Sequence, residues 1–215
     1  MQDTLLALVD DFKVFIMTGI QTLPMSIAGT LLVLGFGTAN YPMLFFLVGM
    51  LFVAPLLPFI VNIFADDTWK VAGCGIAQDQ DNYIISQWVV MVYFFLGYMM
   101  TNAASLYQMP ATEPADPQKT ALRQSQCTMG MIALVICMVA FGVIRIWGCN
   151  LATNRGLSIG MTVLAAVWGT GIGVGWYYLL NTSASGRLAD LFGIANRLLS
   201  PSAFVNEPVG CVPIA

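Results

Sequence analysis

Apolar residues in this chain gather into runs long enough to cross a bilayer, which takes roughly 20 mostly apolar residues per helix. Five runs emerge, at about Pro24 to Thr38, Tyr41 to Phe64, Tyr83 to Ala104, Cys127 to Trp147 and Leu157 to Leu180. The first is short unless its helix begins near Gly19, so the pattern predicts four or five spans. Very few residues separate the first two runs, which therefore form a tight antiparallel hairpin. Pro55 and Pro58 remove backbone donors from the second run and predict a kink or break there.

The flanks carry a different pattern. From Asp3 to Gln21, Leu5, Leu8, Val9, Phe12, Phe15, Ile16 and Ile20 fall on one helical face, and Asp3, Asp10, Asp11, Thr18 and Gln21 fall away from it. Residues 1–22 thus read as an amphipathic interfacial helix, and the acids and Lys13 interrupt any signal-peptide core. After the bundle of residues 23–180, Leu188, Leu191, Phe192, Ala195 and Leu198 repeat at helical spacing. Residues 181–215 accordingly read as a second amphipathic helix followed by a Pro-interrupted, extended tail suited to docking on a partner.

Composition sharpens the class. Of 215 residues, 58% are hydrophobic and 9% charged, whereas soluble domains carry about a quarter charged residues. The fold class that follows is all-α: a polytopic transmembrane bundle in contact with a lipid bilayer. A net charge of −3 without any basic block gives no support to nucleic-acid binding. With no histidine in the chain, His-dependent triads and most zinc hydrolase sites are excluded, and no catalytic residue, metal ligand or cofactor is expected.

Orientation does not follow from charge. With five spans, Lys13, Lys70, Arg145 and Arg155 share one side and Lys119, Arg123, Arg187 and Arg197 the other, a tie. Cys74 and Cys149 fall in loops on the same side, where a disulfide is geometrically allowed if that side is oxidising. Arg145, near a span end, is expected to extend to the interface beside Trp147. Asp66, Asp67, Asp79 and Asp81 share one loop, but they lack the ligand spacing of a calcium loop and read as solvated charge.

Small residues are the most specific feature inside the spans. The stretch from Gly169 to Gly175, GTGIGVG, places Val174 where a dinucleotide loop needs glycine, and it lies in an apolar run. Gly169 with Gly173, Gly171 with Gly175 and Gly156 with Gly160 are each four apart, the spacing that lets helix backbones approach within a subunit or between subunits.

The stretch from Arg187 to Pro213, RLADLFGIANRLLSPSAFVNEPVGCVP, with GWYYLL before it and GTANYPMLFFLVGMLFVAP in the hairpin, resembles polytopic membrane proteins of large icosahedral DNA viruses. The resemblance covers about half the chain. It implies a component of an internal virion membrane that contacts minor capsid proteins, and it carries no functional residue with it.

The residues and the resemblance together lead to one expectation. The protein is a non-enzymatic structural membrane component that packs against other membrane or capsid-type proteins, a homo-oligomer being allowed. Gly156, Gly160, Gly169, Gly171, Gly173 and Gly175 would pack helices, and Leu188, Leu191, Phe192 and Pro208 would dock the partner. One alternative is a small channel or carrier for ions or neutral solutes, lined at the Pro55/Pro58 break. Another is an accessory subunit of a bioenergetic membrane complex.

Overall fold

The computed structural model describes residues 2–64, 85–109, 117–148 and 155–183, together with Leu188, Ala189 and Leu191. Among the described residues, six α-helices run in chain order: α1 (Gln2–Gly37), α2 (Tyr41–Val48), α3 (Leu56–Phe64), α4 (Gln87–Gln108), α5 (Pro117–Gly148) and α6 (Arg155–Ser183). A π-helical turn over Gly49–Val53 joins α2 to α3. Thr18–Gly37, Tyr41–Phe64, Gln87–Gln108, Thr120–Ile146 and Ile159–Ser183 are each long and apolar enough to cross a membrane. The architecture is an all-α helical bundle, compatible with a multi-pass membrane protein.

The amino-terminal segment and first span form one helix rather than two. α1 has 36 residues and at 1.5 Å per residue reaches about 54 Å, longer than a bilayer core is thick. Pro24, which the apolar pattern places at the start of the span, is buried within it and does not end it. Side-chain hydroxyls on either side of it bond carbonyls of their own helix. Thr22 Oγ1 donates to the carbonyls of Thr18 (3.1 Å) and Gly19 (3.0 Å). One turn on, Ser26 Oγ donates to Thr22 O (3.1 Å), and Thr30 Oγ1 to Ser26 O (2.8 Å). Polar positions on the outward face of α1 thereby satisfy themselves on their own helix, which lets an amphipathic segment continue into a span.

The hairpin turn is equally specific. After α1, the Asn40 N–H donates to Gly35 O (2.8 Å) and the Ala39 N–H to Phe36 O (3.3 Å). This is the paired cap of a Schellman ending, with Ala39 at φ 50° in the position glycine usually takes. Chain direction reverses, and Pro42 in the first turn of α2 has no N–H to lose there.

The proline pair widens the next helix without breaking it. Pro55 and Pro58 offer no N–H to the preceding turns, and the Ala54 N–H reaches back five residues to Gly49 O at 2.9 Å. Ala54 keeps helical angles, φ −60° and ψ −47°. The Phe59 N–H bonds Pro55 O at 2.9 Å as α3 begins. One π turn thus absorbs the displaced carbonyls.

α4 is the centre of the bundle. In its span, 61% of the apolar window is buried inside the protein, against 6% for the span of α5. Val90, Phe94 and Tyr98 on α4 and Phe46 and Met50 from the hairpin are fully enclosed. Phe46 meets Tyr98 edge-on at 4.8 Å and Phe94 at 5.4 Å, and Tyr98 meets Tyr177 of α6 at 5.4 Å. These tilted and T-shaped geometries are the ones ring quadrupoles favour.

Candidate helix-packing and docking site

α4 makes its most extensive contact with α6, and glycine determines the approach. A Cβ on Gly169 would lie 2.5 Å from Val90 O and 2.9 Å from Tyr93 Cβ. On Gly173 it would run into Phe94 O and come within 3.0 Å of Tyr98 N; on Gly97 it would lie 2.7 Å from Thr170 O. Most of these obstacles are backbone atoms, so the helices must separate to admit a side chain. Contacts advance along α4 and α6 in the same direction, from Gly169 at Val90 to Gly173 at Tyr98. The two helices therefore run parallel, with backbone against backbone as in small-residue membrane packing.

The six glycines singled out by spacing divide between two surroundings. Gly169 and Gly173 face α4, whereas Cβ atoms on Gly156, Gly160, Gly171 and Gly175 would have nothing within 4 Å. At about 100° per residue, positions two apart in a helix point to opposite sides. The overlapping pairs Gly169/Gly173 and Gly171/Gly175 consequently cannot serve one neighbour. Gly97 completes the α4 side of the contact, and glycine spacing does not mark it because no second glycine lies four residues away.

Two further close approaches link other helices. The Trp176 indole lies over Gly49 at the start of the π turn, and its Nε1–H donates to Phe45 O at 3.2 Å. Tyr93 Oη donates to Met138 O in α5 at 2.6 Å, where Gly142 leaves the space the hydroxyl needs. Asn62 uses both ends of its amide on Ile85, donating to its carbonyl (3.1 Å) and accepting from its N–H (3.2 Å). Arg123 lies inside α5 and is buried, and its Nη2 donates to Met109 O at the end of α4 (2.5 Å). A cation at a helix carboxy-terminus complements the exposed carbonyls.

Arg145 departs from the expectation that it extends outward. It is buried, with its guanidinium 5.6 Å from the centre of the Trp88 ring on α4. This cation–π geometry brings in a tryptophan from another helix.

Beyond α6, Leu188, Ala189 and Leu191 also turn inward. Leu191 is fully enclosed in the bundle core, so the expectation that it faces a partner does not hold for this residue; Leu188 is half-buried and packs against that core. Tyr98 Oη donates to Ala189 O at 2.9 Å, and Asn40 Nδ2 donates to Leu191 O at 3.3 Å. Phe192 and Pro208 lie outside the described residues, as do Cys74, Cys149 and the acidic loop at 66–81. Cys127 is a buried free thiol and Cys137 an exposed one. Among the described residues, no group of three or more His, Cys, Asp or Glu side chains is placed to hold a metal.

Compared with family models, curated proteins and solved structures, the chain matches none.

Proposed function

We propose that this protein is a non-enzymatic, multi-pass membrane component that anchors and scaffolds a larger assembly. The observation that carries the reading is the contrast between α4, enclosed by its own chain, and α5, whose apolar span is left almost wholly uncovered by it. A helix that turns a long apolar face away from its own chain suits lipid and neighbouring membrane proteins. The α4–α6 contact supplies a rigid centre for such an anchor, because backbone in contact with backbone has no side-chain freedom to absorb displacement. The likeness of residues 187–213 and of the hairpin to viral membrane proteins supports an assembly at an internal virion membrane, with capsid-type proteins as partners.

Gentle detergent extraction from the native membrane, with sizing and identification of what travels with the chain, tests this. Scaffold or capsid-type proteins in fixed ratio are the expected outcome; a lone small oligomer is the outcome that removes the proposal. A channel or carrier is the second reading, and the π turn over Gly49–Val53 favours it, since such turns frequently occur at functional sites. It requires solute flux in proteoliposomes containing this chain alone.

A further inference from the structure

Leu188, Ala189 and Leu191 belong to turn backbone, and Ala189 and Leu191 are 1% and 0% exposed. Buried non-helical backbone has no internal ladder, so its carbonyls need donors from elsewhere in the protein. Two donors arrive from separate elements: the Tyr98 hydroxyl from the middle of α4 and the Asn40 amide from the turn between α1 and α2. Both are already positioned. The Tyr98 ring is held between Phe46 and Tyr177, and Asn40 is part of the capped turn that ends α1.

We infer that Leu188, Ala189 and Leu191 form a latch, which bridges the end of the hairpin and α4 and so locks α1 and α2 to α4. Recognition is divided. Tyr98 and Asn40 read backbone carbonyls, and therefore the path of the chain, while the Leu191 side chain fills the core. Among the described residues, two neutral hydrogen bonds and the side chains of Leu188, Ala189 and Leu191 hold the latch, against longer helix faces elsewhere. Opening it uncovers the Tyr98 hydroxyl and frees the hairpin end without disturbing the α4–α6 contact.

The test places a thiol at Ala189→Cys, which adds a single sulfur atom, in the full chain. Maleimide modification at position 189 is followed by peptide mass spectrometry in mild detergent and in SDS. A closed latch makes modification at least about tenfold slower in the folded chain, and removing one hydrogen bond worth about 1 kcal/mol, by Tyr98→Phe or Asn40→Ala, speeds it about fivefold. Both changes together speed it further. A folded-state rate equal to that in SDS overturns the latch. If Tyr98→Phe loosens α4 itself, Asn40→Ala decides from outside the core: faster modification supports the latch, and an unchanged rate overturns it.

Discussion

Gly169 sits so close to Val90 that a single added carbon would lie 2.5 Å from the Val90 carbonyl oxygen. Gly173 repeats the relationship one turn later, against Phe94. Alanine at either position forces two backbones apart, an overpacking change costing about 1–3 kcal/mol. Alanine at Gly171 or Gly175 meets open space and gains helix propensity, so it stabilises by about 0.5–1 kcal/mol. Thermal unfolding in detergent should therefore shift downward for Gly169→Ala and Gly173→Ala and upward for the other two. Equal shifts at all four positions would show that the contact is not as close as the geometry requires.

The expected exchange of sign also shows how far the sequence could be read. Apolar runs located all five spans, because a bilayer-length stretch of Leu, Val, Phe and Met has few other uses. Their ends were less legible. The polar start of α5, from Pro117 to Gln126, reads as loop, yet the helix begins there and buries Arg123 against Met109. Pro24 reads as the start of a span, but the helix runs through it from Gln2 to Gly37. Spacing found the small pairs in α6 without saying which one faces a neighbour, since that depends on how the helix is rotated. Spacing marks Leu191 for docking but not the surface that receives it, since Asn40, which bonds its carbonyl, is 151 residues away.

Tyr93 and Gly142 form a second pair whose energies should not add. The Tyr93 hydroxyl bonds Met138 O, and a Cβ on Gly142 would press on that hydroxyl at 3.0 Å. Tyr93→Phe removes a hydrogen bond worth about 0.5–1.5 kcal/mol, and Gly142→Ala should cost a similar amount by displacing the hydroxyl. Once Phe occupies position 93, Gly142→Ala should be neutral or slightly stabilising, because only its helix propensity remains. A double-mutant cycle on unfolding midpoints checks this; additive costs would mean that Gly142 matters for another reason.

Ala39 holds φ 50° at the end of α1, a left-handed conformation that costs an L-residue with a Cβ roughly 1–2 kcal/mol. Glycine removes the clash while adding some chain entropy to the unfolded state. Ala39→Gly should accordingly stabilise the protein by about 0.5–1 kcal/mol, and Ala39→Val should destabilise it by more than that. Unfolding midpoints of the two variants, compared with the parent, give the sign directly. Destabilisation by glycine would contradict the Schellman geometry formed by Asn40, Ala39, Phe36 and Gly35.

Trp176 and Gly49 provide the most demanding case, because ring and glycine each require the other. A Cβ on Gly49 would lie 2.5 Å from Trp176 Nε1 and 2.6 Å from Cε2. The ring cannot swing aside freely, since Nε1 is bonded to Phe45 O. Gly49→Ala should therefore cost about 1–3 kcal/mol in the parent protein. Trp176→Leu alone loses the hydrogen bond and much of the packing, for a cost of about 2–4 kcal/mol. In the Trp176→Leu background the space above Gly49 is open, so the same Gly49→Ala change should cost almost nothing or stabilise the helix there. The interaction energy of this cycle, about 1–3 kcal/mol, measures how firmly α6 clamps the π turn. If Gly49→Ala costs as much without the indole as with it, the wide turn itself, and not the ring above it, is what demands glycine.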